Sequence, residues 1–310
     1  MNSQNFSRRL IRNRLAQCGL AIIALLLIVF VFAGKISPID PTDTHLAHGL
    51  DALGTPHPRG GGFLLGADTL GRDVWTRTLH GTRISLIVAF SAMLTATIFG
   101  TTVGLLSGYF GGWVDVVLMR ITETVLSLPT ILLAISLASV LPDDPIVLTT
   151  PYIPLLSPGA LPYFELTIDR HLLNLLIAIS LVTWTGIARA VRGEVLSLKR
   201  REFIEAARAM GCSHARILRV HLLPNVLPTV LTLATLATAS NILLEAGLSF
   251  LGLGVEAKTA SWGSMIAEGQ PWILSAPWII LAPGAAVVLA VAGFNLLGQA
   301  MQETLDPRRS

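Results

Sequence analysis

The sequence predicts an all-α integral membrane protein with six transmembrane helices. Hydrophobic residues make up 52% of its 310 residues and charged residues only 13%, whereas soluble domains average roughly 25% charged residues. The mean hydropathy is +0.67. Six apolar runs reach the roughly 20 residues that a helix needs to cross a hydrocarbon core. They are Leu15 to Gly34, Ile84 to Gly108, Ile121 to Leu141, Leu172 to Val191, Val226 to Gly247 and Trp278 to Ala300.

The first run follows an N-terminal segment, residues 1–14, that carries four arginines. A basic segment before an apolar run is also typical of a cleaved secretory signal, whose apolar part is about 7 to 15 residues long. The run from Leu15 to Gly34 is longer than that. We therefore predict a retained first transmembrane helix, residues 15–34.

The distribution of Lys and Arg predicts the orientation, because cytoplasmic connections of membrane proteins carry an excess of these residues. Alternate connections and the two terminal segments hold 15 of the 22 Lys and Arg residues, eight of them from Arg189 to Arg219, and the remaining connections hold 7. Both termini, including the tail 301–310, and the basic connection are predicted to be cytoplasmic. The net charge of +3 is too small to indicate nucleic-acid binding.

The first outer connection, residues 35–83, is rich in Gly, Pro, Asp and His, which is typical of a solvated loop. Three of its histidines could be imagined as metal ligands. They lack accompanying cysteines and a compact spacing, so no metal site is predicted. These histidines are His45, His48 and His57.

The end of this loop, GRDVWTRTLHG from Gly71 to Gly81, is predicted to form a separate interfacial helix. Val74, Trp75 and Leu79 fall on one apolar side of such a helix. An apolar side of this kind favours a membrane-surface anchor.

The second run contains a stripe of small residues, Gly100, Gly104 and Gly108. Glycine at every fourth position lets two helix backbones approach closely. We predict that this stripe packs against another helix of this chain or of a partner subunit. Cys18 and Cys212 are expected at different depths, so no disulfide is predicted.

The predicted core, residues 84–300, has few charges inside its spans, although ion-coupled carriers and channels usually place functional charges there. Asn241 and Glu245, near the outer end of the fifth helix, are candidates for lining a pathway. Glu245 would meet a cationic group of the substrate in that case. The alternative is a carboxylate that is exposed or that only packs between helices.

The chain carries no motif of its own for an energy source. A G-x-x-x-x-G-K-[ST] phosphate loop, an H-E-x-x-H metal motif and a G-x-S-x-G nucleophile motif in a plausible domain are all absent from the sequence. No catalytic residue is predicted. Active transport would therefore require a motor on other chains.

A motor on other chains needs a contact surface, and the basic connection, residues 192–225, contains a segment of suitable form. EAARAMGCSHARILRVHLLPN runs from Glu205 to Asn225. Its first residues favour a short helix that Gly211 ends, because Gly tolerates a left-handed cap. The alanines would keep this helix slim enough to enter a groove of another protein. The alternative is a basic amphipathic loop that rests on anionic lipid.

This segment closely resembles the E-A-A loop of ABC-importer permeases. Three residues separate Glu205-Ala206-Ala207 from Gly211, and nine more precede His221-Leu222-Leu223-Pro224. Three further stretches resemble the second permease subunit of dipeptide and oligopeptide importers, and the resemblance covers most of the chain. They are LGADTLGRDVWTRTLHGTRISL (65–86), WTGIARAVRGEVLSLKRREFIEAARAMG (184–211) and EAGLSFLGLGVEAKTASWGSMI (245–266).

The resemblance implies a type I ABC-importer permease fold in the bacterial inner membrane. It implies that Glu205, Ala206, Ala207 and Gly211 dock a short coupling helix into an ATPase subunit, so that Ala207→Arg would abolish this association without preventing membrane insertion. The implied partners are a homologous permease subunit, two ATPase subunits that bind ATP and Mg, an extracytoplasmic peptide-binding protein and the lipid bilayer. This chain itself would bind no cofactor.

Several alternatives remain open on the sequence. The same machinery imports nickel, nickel chelates, glutathione or antimicrobial peptides in similar proteins, and nothing in the six spans separates these cargoes. A channel or ion-coupled carrier acting alone would need charges at mid-membrane. A membrane scaffold that only recruits partners through its basic loop is a third possibility.

Overall fold

The computed structural model describes most of the chain, with gaps at the termini and in three connections. The described residues are 10, 12–51, 54–58, 62–141, 146–149, 165–168, 170–254 and 259–305. The helices within them are α1 (Arg14–Ile36), α2 (Leu46–Gly49), α3 (Val74–Phe110), α4 (Gly112–Ser127), α5 (Thr130–Val140), α6 (Arg170–Leu198), α7 (Glu202–Ala209), α8 (His214–Arg216), α9 (Leu223–Phe250), α10 (Trp262–Gly269) and α11 (Trp278–Leu305).

In the described residues, five helical stretches are long and apolar enough to cross a membrane: α1, α3, α6, the stretch from α8 through α9, and α11. The third predicted span, Ile121 to Leu141, is wrong as a single helix. It belongs to α4 and α5, which meet at an angle of 94°. The break has a local cause, because Leu128 precedes Pro129 and has extended backbone angles, φ −89° and ψ 138°.

The predicted interfacial helix, Gly71 to Gly81, is also wrong as a separate element. Asp73 caps the N-terminus by accepting a hydrogen bond from Thr76 N–H at 3.1 Å, and α3 then runs unbroken to Phe110. Val74 and Leu79 are buried inside the protein. Val74 packs in a cluster with residues of α10 and α11, so its apolar side meets other helices rather than a membrane surface.

The connection from 142 to 171 corrects the all-α prediction. Strands β1 (Ile146–Thr149) and β2 (Glu165–Ile168) pair antiparallel, with Ile146 opposite Ile168 and Thr149 opposite Glu165. β-Branched residues occupy three of the four positions of β1 and two of the four positions of β2, which favours extended backbone. The other residues between 142 and 164, and residue 169, lie outside the described part of the chain.

Helices α3 and α6 form the most extensive pair, and the glycine stripe lies between them. A Cβ added at Gly100 would lie 2.6 Å from the carbonyl oxygen of Trp184, and one at Gly104 would lie 2.6 Å from that of Ala188. At Gly108 the added atom would lie 2.8 Å from Val195 Cβ. The stripe therefore packs against a helix of this chain.

Gly104→Ala is expected to lower the stability of the protein by about 1–3 kcal/mol, the usual cost of an overpacked core. The matched control is Gly193→Ala on α6, where an added Cβ meets nothing within 4 Å. There the substitution is expected to be neutral or to stabilise by up to about 1 kcal/mol, because Ala favours helix. Thermal unfolding of the two purified variants in detergent tests this, and equal unfolding temperatures would contradict the close packing.

Candidate coupling surface and groove

Helix α7 contains the E-A-A residues and presents one face to solvent. Glu205 and Ala206 are exposed, and so are Ala209 and Met210 at its end. Ala206 and Ala209 leave part of this face without a bulky side chain, whereas Glu205 and Met210 project from it. The two alanines are therefore accessible to another protein, and their docking role stays a prediction.

Gly211 ends this helix by adopting φ +75°, a left-handed conformation that strains residues with a Cβ. The N–H of Cys212 donates to the carbonyl of Ala207 at 3.0 Å, and the N–H of Gly211 donates to that of Arg208 at 2.9 Å. These two bonds are the Schellman pattern of helix termination. Gly211 therefore acts as the helix cap, as its position in the sequence predicts, and it is exposed.

The opposite face of α7 is sealed against the membrane helices. Ile204 and Ala207 are 0% and 1% exposed and share a cluster with Tyr109 of α3, Val195 of α6 and Ile217. A side chain without exposed surface does not form a partner contact in this conformation. Ala207 is therefore placed on the inner face of α7, and the expected effect of Ala207→Arg has to be revised.

The segment after α7 joins it directly to the fifth membrane helix. Residues Ile217–Leu222 are π-helical and lead without a break from α8 into α9. Leu223 donates its N–H to the carbonyl of Leu218, five residues back, and Pro224 has no N–H to donate. The sequence His221-Leu222-Leu223-Pro224 thus forms a continuous helical junction between the loop and α9.

A groove of about 520 Å³ opens where α4 and α5 bend, beside the middle of α6 and α9. Its lining contains no charged side chain and includes four hydroxyl groups. The lining residues are Val125, Leu126, Thr130, Ile131, Val182, Thr183, Thr185, Gly186, Ser240, Leu243 and Leu244. The groove offers apolar surface and hydroxyl donors and acceptors.

The two predicted pathway residues lie behind this lining. Asn241 is 0% exposed, and its amide is 2.8 Å from the hydroxyl of Thr183, which does line the groove. Glu245 is also 0% exposed and accepts a hydrogen bond from Ser249 at 2.9 Å. In this conformation Asn241 connects α9 to α6 and Glu245 is bonded within α9, and the contact of either side chain with a pathway stays a prediction.

A buried ion network lies at the N-terminal end of α3, and the sequence did not predict it. Arg77 is 1% exposed and donates to Asp68 and to Glu268 of α10, the latter at 2.6 and 3.1 Å. Arg72 donates to Asp68 at 2.6 Å and to Glu268 at 2.8 Å. Two arginines and two carboxylates therefore join the loop before α3 to α10 with balanced charge.

Apolar spans, an uncharged groove at a helix bend and an ordered polar loop that leads into a span together define a multi-pass membrane transport subunit. The chain belongs to the family of binding-protein-dependent transport system inner membrane components, whose model matches residues 100–310. The model of the N-terminal TM domain of oligopeptide transport permease C matches residues 3–52.

Named relatives agree with this family over nearly the whole chain. The dipeptide transport system permease protein DppC of Alkalihalophilus pseudofirmus is 36% identical, over 97% of this chain and 88% of its own length. The oligopeptide transport system permease protein OppC of Bacillus subtilis is 33% identical, over 96% and 86%. The resemblance predicted from the sequence motifs is confirmed.

A solved structure of the MetNI methionine ABC transporter in an inward-facing conformation is similar in fold. Its matching chain is 17% identical, with a TM-score of 0.52, over 74% of this chain and 96% of that chain. This likeness supports the helical permease fold. At that identity it carries no information on cargo.

Proposed function

We propose that this chain is the transmembrane permease subunit of an ATP-driven importer for dipeptides or oligopeptides. It lies in the bacterial cytoplasmic membrane with both termini in the cytoplasm, and forms half of a pathway with a homologous permease subunit. Two ATPase subunits bind ATP and Mg and drive the cycle, and an extracytoplasmic peptide-binding protein delivers the cargo. This chain has no catalytic role.

The observation that carries the coupling role is the two-sided character of α7. Its outer face exposes Glu205 and Ala206, while its inner face seals Ile204 and Ala207 against the membrane helices. A helix with one free face and one face packed against the membrane helices transfers a displacement instead of absorbing it. We infer that an ATPase subunit holds the free face, and that its closure moves the π-helical junction and α9.

The cargo assignment rests on the named relatives and on the chemistry of the groove. A peptide carries amide groups and two opposite terminal charges whatever its side chains, so an uncharged lining with hydroxyls accepts many sequences. We propose that the groove is this chain's half of the pathway. Asn241 and Glu245 would reach it only if α9 moves relative to α3 and α6, because both are buried here.

The complete assembly in proteoliposomes, with its binding protein, tests the proposal. Dipeptides or longer peptides are expected to raise ATP hydrolysis several-fold and to accumulate inside the vesicles, whereas nickel chelates are not. A response confined to nickel chelates, glutathione or antimicrobial peptides would change the substrate assignment and leave the assignment as an ATP-driven importer subunit in place. Substrate flux without nucleotide would support a channel or carrier and overturn the proposal.

A further inference from the structure

The cytoplasmic end of α3 meets the coupling loop at one aromatic residue that the E-A-A motif does not include. Tyr109 lies in the last turn of α3 and is 3% exposed. Its hydroxyl oxygen is 2.7 Å from Nδ1 of His214, the first residue of α8. This hydrogen bond joins two segments separated by 105 residues.

Cations from two further parts of the loop gather on the same ring. The guanidinium carbon of Arg208, on α7, lies 5.5 Å from the ring centroid of Tyr109, and Nζ of Lys199 lies 5.9 Å from it. Both distances are within the range of cation–π attraction. Tyr109 therefore contacts the segment before α7, α7 itself and α8.

Tyr109 also belongs to the buried cluster that covers the inner face of α7. That cluster includes Ile204 and Ala207, and Arg208 links α7 directly to the Tyr109 ring. Gly108, the neighbour of Tyr109, packs closely on α6, where an added Cβ would lie 2.8 Å from Val195 Cβ. A displacement of α7 that reaches Tyr109 is therefore passed to α3 and α6 together.

Helix α6 lines the groove through Thr183 and Thr185. A connection thus runs from α7 to Tyr109, along the close α3–α6 contact, to the groove. It is independent of the π-helical junction, which leads from the loop into α9. The two routes end on different walls of the same groove.

We propose that Tyr109 is a positioning residue that transmits movement of the coupling loop to α3 and α6 through its hydrogen bond with His214. This inference rests on the proposed function. A purely apolar anchor under α7 would need the ring of Tyr109 but not its hydroxyl. The bond fixes α8 as well, so the loop moves as one body when its outer face is pulled.

The test measures peptide accumulated per ATP hydrolysed by the complete importer in proteoliposomes. Tyr109→Phe removes only the hydroxyl and keeps the ring, so the permease is expected to fold and assemble normally. We expect peptide per ATP to fall about five-fold, the factor to which the net free energy of one hydrogen bond converts. His214→Leu is expected to give the same fall.

Two further variants separate a transmitted movement from simple packing. In His214→Asn the amide oxygen takes the place of Nδ1 and accepts from Tyr109, so the ratio is expected to return close to the wild-type value. The double variant Tyr109→Phe, His214→Leu is expected to be no worse than either single variant, because both remove one interaction.

The outcomes distinguish this inference from the proposed function. If the wild-type importer fails to accumulate peptide with ATP, the proposed function fails. If the wild type transports and Tyr109→Phe keeps the wild-type ratio, only the role of Tyr109 is overturned. Loss of ATPase assembly in Tyr109→Phe would also overturn it, since the hydroxyl would then hold the docking surface itself in place.

Discussion

Ala206→Arg is expected to abolish association with the ATPase subunits and therefore all ATP-driven uptake. Ala206 lies on the exposed face of α7, next to Glu205 and away from the sealed face. In a docked helix an arginine there would be forced into a groove shaped for a methyl group. Burying an unpaired charge costs several kcal/mol, which corresponds to an affinity lower by about 100-fold or more.

Co-purification of the ATPase subunits with the tagged permease measures this effect directly. Ala206→Ser is the matched control, because it keeps a small side chain at the same position and is expected to retain assembly. The permease itself should reach the membrane in normal amounts in both variants, since the side chain of Ala206 is exposed. Normal ATPase recovery with Ala206→Arg would show that this face of α7 does not dock.

Ala207→Arg provides a contrast on the next residue. Ala207 is 1% exposed and packs with Ile204 and Tyr109. A charge there would disrupt the permease before any partner is involved. Low yield or aggregation is therefore expected, in place of the clean loss of association that the family resemblance predicted for this variant.

The sequence identified the apolar spans reliably because membrane thickness imposes a length that composition reveals directly. It failed at the third span, although Pro129 marks the break, because the apolar composition continues across it. Composition reports that a segment prefers hydrocarbon. It does not report the direction of the backbone, which the residue before a proline changes locally.

The segment around Val74 and Leu79 shows a different limit. A helix with one apolar side has the same pattern whether that side meets lipid or protein. The residues that cover Val74 belong to α10 and α11, including Met265 and Ile279. They lie far along the chain, so no local pattern in the loop could have distinguished the two environments.

The proposed coupling segment rests on its motif, and the motif does not separate exposed residues from packing residues. Ile204 and Ala207 are three residues apart and fall on the same helical face. This spacing could have indicated the buried side. Assigning Glu205, Ala206, Ala207 and Gly211 as one docking set ignored the period of the helix, whereas the structure divides them into exposed residues, a buried residue and a cap.

The ion network around Arg77 could not be predicted because its members are distant in sequence. Arg77 and Glu268 are 191 residues apart. By sequence, Arg77 belongs to the connection before the second predicted span and Glu268 to the connection between the fifth and sixth. Only the packing of α10 against the start of α3 brings them together, where Trp262 also donates its indole N–H to the carbonyl of Thr78 at 3.2 Å.

Arg77→Met is expected to destabilise the permease by about 3–5 kcal/mol, the usual cost of removing one partner of a buried ion pair. Asp68 is 0% exposed, so it would keep a carboxylate in the interior with only Arg72 as a charged partner. Glu268 would lose two hydrogen bonds. Thermal unfolding of the purified permease should show a large fall, with reduced membrane yield.

Adding Asp68→Asn to Arg77→Met distinguishes charge imbalance from loss of packing. The double variant removes one charge of each sign and leaves Arg72 paired with Glu268. The amide oxygen introduced at position 68 would still accept from the backbone N–H groups of Leu70 and Arg72, as the Asp68 carboxylate does at 2.8 and 2.9 Å. The double variant is therefore expected to be more stable than Arg77→Met alone, because an unbalanced buried charge costs more than a neutral amide. If it is equally or less stable, Arg77 contributes mainly through the packing of its side chain between the loop before α3 and α10.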